Sequence, residues 1–287
     1  MKKIAIVTDS NAGISPEEAK KLGIHLVPMP FIIDGEVYFE NVNLSFDEFY
    51  EKQKVTRIST SQPNINDVVE LWEDLLKEYD EVVHIPMSSG LSASCETALN
   101  FAQQFEGKVQ VVDNRRISIT MRGSVVDAVN MANDGKDAKE IKKWLEDTAL
   151  DSSIYIMVDT LKYLKQGGRV TPAAAAIGAV LNIKPVLTIQ GGKLDQYTKV
   201  INVKTAKMKM LDAIKKDLEN RFSSFLSKDK MRLSVAHTAN EANARLFAEE
   251  VKAAFPNIEL EYIDSLSMSV ATHIGPKALA IATYRVY

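Results

Sequence analysis

The chain has 287 residues, with 35 basic and 38 acidic side chains interspersed for a formal net charge of −3. That length accommodates two domains or one large one and buries roughly 75% of the unfolded surface without covalent staples, and the balanced charge argues against a nucleic-acid partner. One cysteine, Cys95, excludes an internal disulfide and a cysteine-based metal cluster, while His25, His84, His237 and His273 lie too far apart for a paired-histidine metal site.

The apolar run at residues 1–7 is shorter than the roughly 7–15 residues of a signal-peptide core. The longest run of small apolar residues, 173–181, is far short of the ~20 that cross a bilayer. A soluble, cytoplasmic protein is therefore expected, and it is expected to act as a monomer.

Residues 3–8 read as a first strand, followed by the polar turn Asp9-Ser10-Asn11-Ala12-Gly13. Ser15, Pro16 and Glu18 form a capping-box helix start, and Gly23 stops that helix. Residues 26–29 and 30–33 look extended, and Asp34-Gly35 before residues 36–39 is a hairpin signal. Ser45 and Glu48 open the next helix. Thr60-Ser61-Gln62-Pro63-Asn64 then leads into a helix capped by Asn64, with Val68, Val69, Trp72, Leu75, Leu76 and Tyr79 on its apolar face. Residues 81–85 form a short buried strand. Met87-Ser88-Ser89-Gly90-Leu91-Ser92-Ala93-Ser94 follows, and Leu91, Cys95, Ala98, Leu99 and Ala102 recur at helical spacing. A strand at 109–112, the turn Asp113-Asn114-Arg115-Arg116, a helix through Val125, Ala128, Val129 and Ala132, and a helix capped by Asp137 complete this half. Alternating strands and helices imply a parallel sheet whose ligands sit beyond the carboxyl ends of the strands. Both hydroxyl-rich stretches are expected on that edge.

Asp151-Ser152-Ser153 marks the expected boundary, giving domains 1–152 and 153–287. The second half reads as a strand at 154–158 and a helix at 160–165 stopped by Gly167-Gly168. A helix of small residues at 173–181 would let a neighbour or ligand approach closely. Residues 186–190 and 194–200 make a hairpin around Gly191-Gly192. A helix at 204–225, a strand at 233–237, a helix at 241–255 and a strand at 258–263 follow. A polar–apolar segment at 267–273, ended by Gly275-Pro276, precedes a last strand at 278–286. The fold class is α/β, with a mostly parallel N-terminal sheet covered on both faces and a mixed C-terminal sheet.

Ser88, Ser89 and Ser92, with Gly90, sit where a strand turns into a helix. The first backbone N–H groups there lack intrahelical partners and the helix dipole is positive, which suits an anion. The alternative is that a serine merely caps the helix. Thr60 and Ser61 divide the same way, between anion donors and a brace for the next helix. Asp9 is either a catalytic carboxylate or the anchor of an Asx-turn. His273 taken alone reads as an ordinary hydrogen-bonded histidine, Cys95 as a small core residue, and Arg169 as either solvated or a partner contact. The lysines at 204, 207, 209, 215 and 216 read as a solvated helix face. No Walker loop and no G-x-S-x-G elbow is present, so a transferase or hydrolase would have to rest on Asp9 or Ser92.

Thr8-Asp9-Ser10, Thr60-Ser61-Gln62-Pro63, Ser88-Ser89-Gly90-Leu91-Ser92 and Leu164-Lys165-Gln166-Gly167-Gly168-Arg169-Val170 together resemble the DegV family. These are bacterial fatty-acid-binding proteins that include the FakB subunits of fatty acid kinase. Lys184-Pro185-Val186-Leu187 and His273-Ile274-Gly275-Pro276 continue the likeness, in family order, over essentially the whole chain. The resemblance implies a two-domain DegV-like α/β protein that encloses one long-chain fatty acid between its domains. It needs no cofactor or metal and has no catalytic residue of its own. Thr60, Ser61, Ser92 and His273 would hold the carboxylate, with Ser89, Gly90 and Arg169 in support. A separate kinase would phosphorylate the bound acid, and transient contact with a membrane would fit such a role. The chain departs from the family at Ala93-Ser94, where Gly-Thr is usual, at Lys277, where Gly is frequent, and at Asp113-Asn114, where Asp-Ser is frequent. With the small run Ala173 to Ala176, these changes leave the preferred acyl chain open.

Overall fold

Why the chain forms three sheets rather than two follows from where its apolar residues point. The computed structural model describes residues 2–40, 42–176 and 183–287. Its first half carries β1 (Ile4–Asp9), α1 (Pro16–Leu22), β2 (His25–Val27), β3 (Pro30–Ile33), β4 (Glu36–Phe39), α2 (Phe46–Val55), β5 (Ile58–Thr60) and α3 (Ile65–Leu75). β6 (Glu81–Ile85), α4 (Ser94–Ala102), β7 (Val109–Val111), α5 (Ser118–Asn133) and α6 (Ala138–Asp147) follow. The second half carries β8 (Ser152–Met157), α7 (Lys162–Gly167), α8 (Pro172–Ala175), β9 (Lys184–Ile189), β10 (Asp195–Val200), α9 (Val203–Asn220) and α10 (Ser223–Leu226). β11 (Met231–His237), α11 (Glu241–Ala254), β12 (Leu260–Ser265), α12 (Met268–Ile274) and β13 (Leu279–Arg285) complete it.

The first sheet, ordered β2-β1-β6-β7, is parallel throughout. Successive side chains of a strand face opposite ways. Ala5, Val7 and Val82 therefore pack under Val68 and Trp72 of α3 and Cys95 and Ala98 of α4. Ile6, Val83 and Ile85 face α5 and α6 on the other side. Burial on both faces is why these strands read as unbroken apolar runs.

The large sheet is mixed and ordered β10-β9-β8-β13-β11-β12; its neighbours are antiparallel except for β11 and β12. Tyr155, Met157, Val235 and Ile281 face α9 and α11. Ile154, Ile156, Ala236 and Ala280 face back toward α5, in a core continuous with that of the first sheet. Thus α5 lies between the two sheets, which explains its burial on nearly every side.

A third sheet, antiparallel β4-β3-β5, corrects the placement of Thr60. The Thr60 stretch does not follow a strand of the parallel sheet: it ends β5, paired through Thr60 with Phe31, while Gln62 and Pro63 reach Asp9, Val27 and Pro86 at the carboxyl edge of that sheet. Segment 267–273, read only as polar–apolar, is the helix α12. It buries Met268 and Ala271 against Phe31, Ile33, Phe49 and Ile58 of the third sheet and α2. Smaller shifts of boundary occur too. The helix expected from Leu91 begins at Ser94, and that expected over 204–225 breaks after Asn220. The helix expected over 173–181 is described as Pro172–Ala175 with Ala176 at its C-cap; residues 177–181 lie outside the described residues.

Candidate functional site

α12 brings His273 to the end of β5. Its N-cap Ser267 accepts the Val270 N–H and donates to Asn11 Oδ1. Glu40 accepts the Met268 N–H, and the Gln53 side chain donates to Ala271 O. So held, His273 Nε2 lies 2.9 Å from Thr60 Oγ1. Behind the ring sits Gly167, where an added Cβ would lie 2.1 Å from His273 Nδ1, so a side chain there would require the ring or α7 to move. Burial, aided by the nearby Arg169 charge, lowers the His273 pKa to about 4. The imidazole is therefore neutral at pH 7.

Thr60, His273 and Arg169 close the polar end of a cavity of about 330 Å³, whose wall also carries Ser61, Gln62 and Ser92. Apart from Ser269 the rest of its wall is apolar: Met29, Met87, Leu91, Ala93 and Ile117 from the first half, and Ile156, Ile189, Leu194, Val270 and Ile274 from the second. Arg169 is the one charged side chain on this wall among the described residues, and its Nε donates to Leu91 O across the junction of the halves. Ser92 Oγ accepts the Ser94 N–H at 3.2 Å, which leaves its own proton free to donate.

The remaining members of the serine turn face elsewhere. Ser88 is buried, donates to Gly191 O at 3.1 Å and accepts the Gly90 N–H at 3.1 Å. Ser89 is bound to Asp113 through both its hydroxyl and its N–H. Gly90 lies against the β9–β10 turn, where an added Cβ would come within 2.8 Å of Gly192 Cα. The Ser89 hydroxyl and N–H are thus engaged by Asp113 and the Gly90 N–H by Ser88. These bonds fix the position of Ser92. Ser61 lines the cavity while its hydroxyl donates to Gln62 O at 3.2 Å.

Asp9 is 2% exposed and accepts N–H groups from Asn11 at 2.9 Å and Met87 at 2.8 Å, one on each oxygen. Burial raises its pKa to about 6 despite these bonds. It anchors the loops after β1 and β6. Cys95 is buried in the α4 core, and desolvation pushes its thiol up to about 12, which removes it as a nucleophile at neutral pH. Among the described residues no group of three or more His, Cys, Asp or Glu side chains could hold a metal, and no helix is long and apolar enough to cross a membrane.

The apolar wall escaped the sequence reading, although its signal was adjacent. Met87 and Leu91 flank Ser88 and Ser92, and Val270 and Ile274 flank His273, so each polar motif brings an apolar neighbour to the cavity. By contrast Ala173 to Ala176, expected beside a ligand, contribute nothing to this wall.

The family model described as "Uncharacterised protein, DegV family" matches residues 3–286. The chain belongs to the DegV family. Protein DegV of Bacillus subtilis is 31% identical over 282 residues, covering 97% of this chain and 98% of its own. A DegV family protein from Thermus thermophilus, its structure described as showing fatty acid binding, superposes with a TM-score of 0.90 at 27% identity over 99% of this chain and all of that one. The structure of DegV from B. subtilis, described as a fatty acid binding protein, gives a TM-score of 0.85 at 30% identity over 99% and 100% of the two chains. The α/β architecture with one parallel and one mixed sheet is thus that of DegV proteins.

Proposed function

We propose that this DegV protein is a carrier rather than a catalyst. It holds one long-chain fatty acid in the cavity between its halves and presents the carboxylate to a separate fatty acid kinase, the role of a FakB-type subunit. The observation that carries the reading is a largely apolar cavity of about 330 Å³ whose wall also holds four hydroxyl side chains, one neutral imidazole and one arginine. Relatives of this architecture described as fatty acid binding support it.

A carboxylate buried without partners is costly. At the polar end Thr60 and Ser92 supply O–H donors and Arg169 supplies the opposite charge. If His273 donates from Nε2 to Thr60 Oγ1, the Thr60 proton is free for the ligand. Ser61 lies beside them. The apolar wall supplies the affinity: at ~0.8 kcal/mol per buried CH₂, about fourteen methylenes gain on the order of 11 kcal/mol before entropic losses. Hydrogen bonds at ~1–3 kcal/mol each orient the head group without rivalling that.

The test is organic extraction of the purified protein followed by mass spectrometry. A stoichiometric fatty acid is expected. An empty protein that turns over esters or phosphoesters would instead establish an enzyme built on Asp9 or Ser92.

A further inference from the structure

Thr60, Arg169 and His273 have a second side. The same three residues line a separate basin of about 300 Å³, outside the apolar cavity, between α2, β5 and α7. Three more cations, Lys54, Arg57 and Lys162, line this basin, and among the described residues no Asp or Glu does; the carboxylate at its rim, Asp34, accepts the Thr56 hydroxyl. In a chain with more acidic than basic residues, four cations lining one depression against one carboxylate at its rim is a marked local imbalance. Lys54 is paired with Glu51, whereas Arg57, Lys162 and Arg169 have no carboxylate partner among the described residues. Lys162 comes from α7 and Arg57 from the turn before β5, so both halves of the molecule supply charge to the basin. A lone carboxylate at the Thr60–His273 wall does not need this much charge. A phosphate does, since it carries up to two charges and its oxygens accept donors from several directions.

We propose that this basin is a phosphate-binding subsite, separated from the apolar cavity by the Thr60–His273–Arg169 wall. Arg57 and Lys162 are its principal ligands. It rests on the reading of the inner cavity in one respect: a fatty acid seated there would have its carboxylate at the shared wall, next to the bound phosphate. The phosphate group is either the terminal group of a polyphosphate or one already joined to the lipid. Both share the same chemistry at Arg57 and Lys162.

The experiment uses the full chain and an Arg57→Gln, Lys162→Gln double variant. Both positions are exposed and neither lines the apolar cavity. Calorimetric titration of inorganic tripolyphosphate into palmitate-loaded protein, at constant ionic strength, should show one saturable site that weakens at least tenfold in the variant. Palmitate content by mass spectrometry should be the same in both. In a second arm, hexadecylphosphonate competes with palmitate for delipidated protein. A preference for the phosphonate that the variant loses assigns the subsite to a lipid-borne phosphate, and tripolyphosphate binding assigns it to a polyphosphate. The proposal is overturned if neither probe distinguishes wild type from variant, or if chloride at equal ionic strength removes tripolyphosphate. Saturable tripolyphosphate binding by a protein that retains no palmitate would uphold the basin and sink the carrier reading.

Discussion

Thr60 and His273 are 213 positions apart in the chain and 2.9 Å apart in space, and each matters through the other. Thr60→Val keeps the shape of the side chain but removes both the donor to a carboxylate and the partner of His273. It should weaken fatty acid binding by about 1–2 kcal/mol, roughly five- to thirtyfold, in a fluorescent-ligand displacement assay. An unchanged affinity would remove Thr60 from the site. His273 offers a spectroscopic check. Its ring should titrate near pH 4 by NMR in the ligand-free protein, well below the ordinary 6.5, because burial disfavours the imidazolium. The sign for stability follows. Between about pH 4 and 6.5 the unfolded chain binds the proton and the folded one does not. The native state therefore loses stability from this residue as pH falls through that window and keeps it above. His273→Gln should flatten that part of the profile, and a ring titrating near 6.5 would show that the burial is not felt.

At the scale of elements, the packing of α7 against α12 decides whether the histidine is in place. Gly167→Ala puts a methyl group 2.1 Å from Nδ1, and the expected relief is a swing of His273 away from Thr60. The variant should bind fatty acid at least as poorly as Thr60→Val, while circular dichroism shows a folded protein. Wild-type affinity would mean that α7 yields instead. Elements with local signatures were legible in the sequence: the capping boxes at Ser15 and Ser45, and the Asp34-Gly35 turn with φ of 52° and 89°. The parallel sheet was legible from its doubly buried strands. Elements defined by their neighbours were not. β5 has only three residues and is a strand because β3 offers it an edge. α12 has seven, with β-branched Val270, Thr272 and Ile274 among them, and is helical because Ser267 caps it and the third sheet buries it. The site suffered in consequence. Its residue types were readable from motifs, but the roles of Ser89 and Gly90 depended on Asp113 and Gly192, which no local pattern links to them.

For the whole molecule the question is what keeps the two halves in register. α5 carries Arg122, whose side chain is 8% exposed and donates to Glu18 and Asp264 at 2.7 Å each and to Gly13 O. Its guanidinium also lies 4.0 Å from the centre of the Tyr262 ring. One side chain thereby joins α1 and α5 of the first half to β12 of the second. Arg122→Met leaves the half-buried Asp264 without its partner and should cost about 2–3 kcal/mol in urea unfolding, below the usual range for fully buried pairs because Glu18 is partly solvated. A loss under about 0.5 kcal/mol would mean that the apolar core alone holds the halves together. The wall at the polar end has a related consequence. Thr60 and Ser92 come from one lobe and Arg169 and His273 from the other, so a seated acid is a rivet through the seam. Free ligand at a hundred times its dissociation constant should add about 2.7 kcal/mol to unfolding. An empty cavity should let protease into the seam at Leu91 and Arg169 first, so the proteolysis rate of the protein would report whether an acid is seated.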